Sequence, residues 1–161
     1  MKHRLRETAY YIGKHERIVD LGSAKGEYYK LVDVSDKTIV AVDIKDWWLK
    51  HIRLFYPTIT TLCKDIRNTG LPEKSFDLVV VAQVLEHFED YEPVIKEAKR
   101  LCKDDGYFYI GLPTESHGHG HFHPIWTQDD IFKICKKFGE IVELKKIGGR
   151  GTWSLYIKNV K

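Results

Sequence analysis

Ile18-Val19-Asp20-Leu21-Gly22-Ser23-Ala24-Lys25-Gly26 decides the fold of this 161-residue chain. A short apolar run passes into small residues and then into Glu27–Val34, where Tyr28, Leu31 and Val32 fall at i, i+3 and i+4. The pattern predicts a strand, a tight loop and a helix. Gly22 and Gly26 remove Cβ atoms where a ligand or the helix start must approach the backbone. The positive end of that helix would then face whatever sits over the loop. The glycine spacing is G-x-x-x-G, which is neither the G-x-G-x-x-G of a dinucleotide site nor a phosphate-cradling loop ending in Gly-Lys-Ser/Thr.

Working outward, Arg4–Lys14 carries Leu5, Ala9 and Ile12 near helical spacing, so residues 1–15 predict a short amphipathic helix. Thr38–Val42 is a compact apolar run that predicts a strand, Ile59–Cys63 predicts another, and Phe76–Ala82, continuously apolar after Asp77, predicts a strand buried on both faces of a parallel sheet. Asp46–Arg53 and Tyr91–Cys102 predict helices. Asp104-Asp105-Gly106 reads as a turn before a strand over Tyr107–Leu112. Ser116–Pro124 reads as a loop. Thr127, with Asp130 three residues on, predicts a capped helix that presents Ile131, Ile134, Cys135 and Phe138 to the core and stops at Gly139. Ile141–Ile147 and Thr152–Lys158 flank Gly148-Gly149-Arg150-Gly151 as an antiparallel hairpin. The sum is one domain over residues 1–161, an α/β three-layer fold with a mostly parallel seven-stranded sheet closed by a C-terminal antiparallel hairpin. Ligands of such sheets bind beyond the carboxyl ends of the strands.

Composition narrows the classes. No run approaches the roughly 18 apolar residues of a membrane span, and Met1-Lys2-His3-Arg4 lacks an apolar signal region. Cys63, Cys102 and Cys135 are odd in number and scattered, which argues against a disulfide framework and for a reducing cytoplasm. A formal net charge of +3 permits nucleic-acid binding without arguing for it. Nothing in the chain sets an oligomeric state.

Three acidic residues, Asp20, Asp43 and Asp65, fall at or near the ends of the first three predicted strands. Asp43 follows Asp20 by 23 positions, the spacing at which an acidic side chain reaches a ribose hydroxyl. Carboxylates beside a glycine loop suit a ligand with a sugar, an amine and a cationic centre better than a pyrophosphate. With the segments IVDLGSAKGEY, VAVDI, CKDI, SFDLVVVAQVLEHF and EAKRLCKDDGYFYIGLP, the chain resembles the class I (Rossmann-like) S-adenosylmethionine-dependent methyltransferases from Ile18 onward.

The resemblance implies S-adenosylmethionine as cofactor and an unidentified methyl acceptor, a small molecule or protein first and RNA second. By it, Asp20, Gly22, Ser23, Ala24 and Gly26 would surround the methionine part. Asp43 would hold the ribose hydroxyls with Ile44 against the adenine. Asp65 would accept from the adenine amino group with Ile66 beside the ring, and Gln83 would face the methionine moiety or the target. Ala24 stands where the family usually has Gly and fits if its φ is negative. Asp104-Asp105-Gly106 replaces the usual Pro-Gly-Gly. The short stretch before Ile18 suggests an open site, or one covered by the His-rich loop.

Methyl transfer to an amine or hydroxyl releases a proton, and histidine is the natural base. His87 follows Glu86 after the fourth strand, and His117, His119, His121 and His123 follow the fifth. The candidates are His87, His121 and His123. The loop itself reads as a cover, as a base or substrate clamp, or as a metal site. Glu86-His87 resembles part of the Glu-x-x-Glu-His set of metal-dependent RNA 2′-O-methyltransferases, but Gln83 replaces the first carboxylate, so no metal site is assigned. A cofactor-binding interaction subunit with weak catalysis is the alternative from another class. Trp47, Trp48, Tyr10 and Tyr11 read first as partly buried aromatics and second as a surface for a base or ring.

Overall fold

The computed structural model describes residues 2–114, 121–123, 126–148 and 151–160. In chain order they form α1 (Lys2–Gly13), β1 (Arg17–Leu21), β2 (Thr38–Asp43), α2 (Asp46–Phe55), β3 (Thr60–Cys63), β4 (Phe76–Ala82), α3 (Glu92–Leu101), β5 (Cys102–Pro113), α4 (Gln128–Phe138), β6 (Glu140–Ile147) and β7 (Thr152–Lys158). Short 3-10 turns lie at Tyr29–Leu31 and Leu85–His87. The strands make one sheet in the order β3-β2-β1-β4-β5-β7-β6. Pairing is parallel from β3 through β5, and β7 runs antiparallel to both its neighbours. Among the described residues, no helix is long and apolar enough to cross a membrane.

The central strands are buried on both faces, so their alternate side chains feed two cores. Val19, Val79, Val81, Phe108 and Ile110 meet α3 and α4 through Val94, Ile131 and Phe138. Ile18, Leu78, Val80 and Tyr109 meet α1 and α2 through Tyr11, Ile12, Leu49 and Ile52. This gives the three layers expected. The Thr127–Asp130 capping box at the start of α4 forms reciprocally, the hydroxyl taking the Asp130 N–H and the carboxylate taking the Thr127 N–H.

Two local expectations fail. Glu27–Val34 is not a helix, only the turn Tyr29–Leu31. Tyr28 and Tyr29 both turn inward and donate their hydroxyls to Asp20 Oδ2, the latter at 2.5 Å. Asp33 Oδ1 accepts the N–H and hydroxyl of Ser35 at 3.0 and 2.7 Å, and such a local bond competes with helix. The β-branched Val32 and Val34 add to the helix penalty. The Asp104-Asp105-Gly106 turn is instead a bulge inside β5, where Cys102 pairs with Phe76 and Tyr107 with Leu78.

Asp20 is fully buried on β1. Burial pushes its carboxyl up to about 6, against the pull of the two tyrosine hydroxyls and with the help of the nearby Asp43 charge. Ala24, between Gly22 (φ 78°) and Gly26 (φ 63°), sits at φ 48°, so the condition that its φ be negative is not met.

Two stability predictions follow from this loop. Because the folded pKa of Asp20 lies above the unfolded value of about 3.9, its contribution is complete below pH 4 and is lost as pH rises to about 6, an effect of about 3 kcal/mol. Asp20→Asn keeps an acceptor for the tyrosines and cannot ionise, so urea midpoints measured from pH 4 to 7 should decline less in the variant than in the parent. Ala24→Gly removes left-handed strain of about 1–2 kcal/mol against about 0.5–1 kcal/mol of chain entropy. A small rise in the urea midpoint, worth about 0.5–1 kcal/mol, is expected.

Candidate functional site

The carboxyl ends of β1 through β4 open into a cavity of about 690 Å³, in the range of small-ligand sites. Its floor is the loop after β1. The N–H groups of Gly22 and Ser23 both donate to the Val42 carbonyl, at 2.8 and 3.1 Å, which ties the loop to β2. A Cβ on Gly22 would lie 2.6 Å from Val84 Cγ2, and one on Gly26 would lie 2.3 Å from the Tyr29 ring. The loop can therefore run this close to its neighbours only as glycine at both positions.

Asp43 ends β2 and is 5% exposed. Its Oδ2 accepts the Ala24 N–H at 3.0 Å and its Oδ1 accepts the Lys45 N–H at 2.9 Å. Both oxygens are thereby aimed, and each retains capacity for another donor. Asp65, past β3, is held by Arg67, which grips both carboxylate oxygens at 2.6–3.1 Å and donates its backbone N–H at 2.9 Å. These bonds hold the Asp65 carboxyl below its ordinary range. Ile66 is buried and Ile44 is exposed, and both line the wall.

Gln83, just beyond β4, adopts φ 59°, a strained backbone for a branchless polar residue. Its Oε1 accepts from Arg4 Nη1 at 3.4 Å, and its buried Nε2 has no partner among the described residues. His87 lines the wall with its ring 4.5 Å from that of His121. Beside it, Glu86 is 1% exposed, and burial pushes its carboxyl up to about 7. The Phe122 N–H donates to the Glu86 carbonyl at 2.8 Å, which fixes the 121–123 segment against that turn.

The cavity thus brings together Gly22, Ser23, Ala24, Gly26, Asp43, Ile44, Asp65, Ile66, Gln83 and His87. It does not include Asp20, which is sealed beneath the loop by Tyr28 and Tyr29. His121 and His123 also lie outside the wall; His123 packs its ring against Tyr91 and Trp126, at 5.2 and 4.9 Å. His117, His119 and Arg150 fall outside the described residues. Among the described residues no three His, Cys, Asp or Glu side chains converge as a metal cluster.

Sequence reasoning missed the α1 wall. Arg4, Leu5 and Thr8 line the cavity, joined by Tyr109 of β5 and Thr152 of β7. The stretch before Ile18, expected to leave the site open, covers one side of it instead. Arg4 and Thr8 share a helix face at i, i+4, the only signal the sequence offered, and an amphipathic pattern alone does not separate a cavity wall from a solvated flank.

The model of a family described as a methyltransferase domain matches residues 19–110, more than half of the chain. A curated Mycobacterium tuberculosis protein, described as a probable S-adenosylmethionine-dependent methyltransferase, is 26% identical over 97 residues, covering 60% of this chain and 35% of that one. The chain spans a third to a half of the length of the first curated relatives it matches. Among solved structures, the Burkholderia thailandensis 1,6-didemethyltoxoflavin-N1-methyltransferase superposes with a TM-score of 0.80 at 15% identity, covering 98% of this chain and 79% of that one. The N-methyltransferase NodS from Bradyrhizobium japonicum, in complex with S-adenosyl-L-homocysteine, superposes at 0.79 with 18% identity, covering 98% and 85%. At those identities the two structures speak for the fold, and the family match rests on the sequence of residues 19–110. With a glycine-lined loop, an aimed carboxylate on β2 and the β3-β2-β1-β4-β5-β7-β6 order in place, the chain belongs to the class I S-adenosylmethionine-dependent methyltransferases.

Proposed function

We propose that this chain moves a methyl group from S-adenosylmethionine to a nitrogen or oxygen nucleophile on a small molecule or protein. The observation that carries the reading is Asp43, whose two oxygens are fixed by the amides of Ala24 and Lys45 at the cavity wall. The residues present fit the cofactor. The loop has no room for side chains at Gly22 and Gly26, Ser23 Oγ and Gln83 Nε2 are buried without partners among the described residues, and the cavity is of nucleoside size. When bound, the cofactor supplies an activated methyl on a sulfonium centre.

The chain's own groups do the rest. Asp43 would accept from the ribose hydroxyls, and Ile44 and Ile66 offer apolar surface to the purine. Asp65, already paired with Arg67, is a weaker candidate for the adenine amino group than the sequence implied. Gln83 Nε2 and Arg4 supply donors at the end of the cavity near β4. Arg4 uses little of its five-donor fork on Gln83, so it is placed to receive the carboxylate of the methionine half. The helix that carries it shields that end from water, which strengthens every polar contact inside. His87 is the ring the wall offers to take the acceptor's proton. The two structural neighbours are named as N-methyltransferases, which favours nitrogen over oxygen. The metal-assisted RNA reading is weakened because a guanidinium, Arg4, occupies the carbonyl of Gln83.

Two binding measurements test the assignment. Asp43→Ala should weaken S-adenosylhomocysteine binding by about 1–3 kcal/mol in calorimetry; an unchanged dissociation constant would reject the role. Arg4→Gln should weaken the same ligand by about tenfold or more, as expected for a lost charged hydrogen bond. It should leave 5′-methylthioadenosine, which lacks the amino-acid part, unaffected. Equal losses for both ligands would place Arg4 elsewhere.

A further inference from the structure

The face of α2 turned away from the core is unusually apolar. Trp47 is 58% exposed, Leu54 74% and Phe55 60%, and Ile44 just before the helix is 67% exposed. Trp47, His51 and Phe55 recur at i, i+4 and i+8, opposite the buried Leu49 and Ile52. Scattered exposed hydrophobics are ordinary, but a contiguous stripe marks a contact surface. Partial burial was the first expectation for these aromatics. It holds for Trp48, which is half-buried; Tyr11 is fully buried instead, and Trp47 and Tyr10 are exposed, Tyr10 at 52%.

The stripe is also cationic. Lys25 Nζ lies 5.8 Å from the centre of the Trp47 ring and Lys45 Nζ lies 4.2 Å from that of Trp48. The two indoles are 4.8 Å apart, and the His51 and Phe55 rings 4.6 Å apart. Lys50 and Arg53 share one carboxylate, Asp46, at 3.8 and 2.8 Å. Lys25, Lys45 and Lys50 therefore accompany this surface, with Asp46 and, on the cavity wall beside Lys25, Glu27 as the acids. It begins at the cavity mouth, since Lys25, Lys45 and Trp48 also line the wall, and continues along the helix.

A protein partner would be met by an apolar centre with charges at its rim. Here ammonium groups lie over the rings themselves, the arrangement that suits bases alternating with phosphates. We infer that the α2 surface binds single-stranded nucleic acid, with Trp47 and Phe55 stacking on bases and Lys25, Lys45 and Lys50 neutralising phosphates. The inference rests on this surface and not on methyl transfer.

Fluorescence anisotropy of a labelled 12-nucleotide oligouridylate, titrated with the whole chain at 50 and 200 mM salt, tests it. Binding is expected at low salt, with a log–log salt slope of about −2 for three phosphates on a single strand. Trp47→Ala and Phe55→Ala should each weaken it about fivefold or more, and Lys50→Glu should weaken it and flatten the slope. S-adenosylhomocysteine calorimetry on Trp47→Ala, outside the cavity wall, should match the parent and shows that the fold is intact. No binding at 50 mM salt, or unchanged binding in both aromatic variants, overturns the inference. So does self-association that Trp47→Ala abolishes without any oligonucleotide binding, which would make the stripe an interface between copies. Failure of the parent to bind S-adenosylhomocysteine would strike the methyltransferase reading and leave the oligonucleotide result to stand on its own.

Discussion

One carboxylate joins the two loops on which the cavity depends. Asp43 receives the amide of Ala24 from the loop after β1 and that of Lys45 from the loop after β2, so neither loop can shift without the other. The parallel register makes this contact available. Asp20 pairs with Ala41 and Leu21 with Val42, which leaves Asp43 one residue further along, level with the turn that Gly22 begins. The Val42 carbonyl takes two more amides from that turn. Both Asp43 oxygens meet backbone donors, whereas Asp20, one strand inward and met by tyrosine hydroxyls, has an oxygen without a partner among the described residues, and burial raises its pKa. Two acids on adjacent strands at one end of the sheet thus separate into a group that faces the cavity and a group that holds the floor beneath it.

That division explains what could be read in the sequence. Strand identity was legible because β1, β2 and β4 are short apolar runs bounded by turn residues, and the acidic tips followed from where those runs stop. Which acid faces a ligand was not legible, since it depends on Tyr28 and Tyr29 turning inward. The same two tyrosines, with the Asp33–Ser35 turn, removed the helix that the i, i+3, i+4 pattern announced. Periodicity records which side chains share a face, but not whether their polar ends find a stronger partner outside the helix. The hairpin and the α4 cap were legible for the opposite reason: their signals are local, and their partners lie within a few residues.

The α1 wall was hidden by contacts between residues more than 90 positions apart, most of them more than 130. Tyr11 stacks on Tyr109 and Tyr156 at 4.9 and 4.4 Å and donates to Glu143 on β6. Glu7 pairs with Lys145 at 2.6 Å, also on β6. Residues from the first dozen positions are therefore fixed by residues beyond 140. The C-terminal hairpin, far from the glycine loop in the strand order, acts on the cavity by holding the helix that carries Arg4. Burial raises the Tyr11 hydroxyl pKa, with the Glu143 hydrogen bond and charge adding to it, so the proton stays on the tyrosine and the contact remains a donated hydrogen bond across the neutral range.

The cavity therefore has two ends with different physics. Its β2–β3 end is built from parallel strands and backbone amides, parts that a β-loop-α chain produces wherever it turns. Its β4–β5 end combines Gln83 in a left-handed backbone, a guanidinium from α1, and Tyr109 and Thr152 from strands of opposite direction. The family match spans residues 19–110 and stops short of both α1 and β7. The first end thus lies within what the family shares, while the second joins Gln83 and Tyr109 from that span to Arg4 and Thr152 from either side of it. At that second end the side chains of this chain, rather than its backbone, shape the wall.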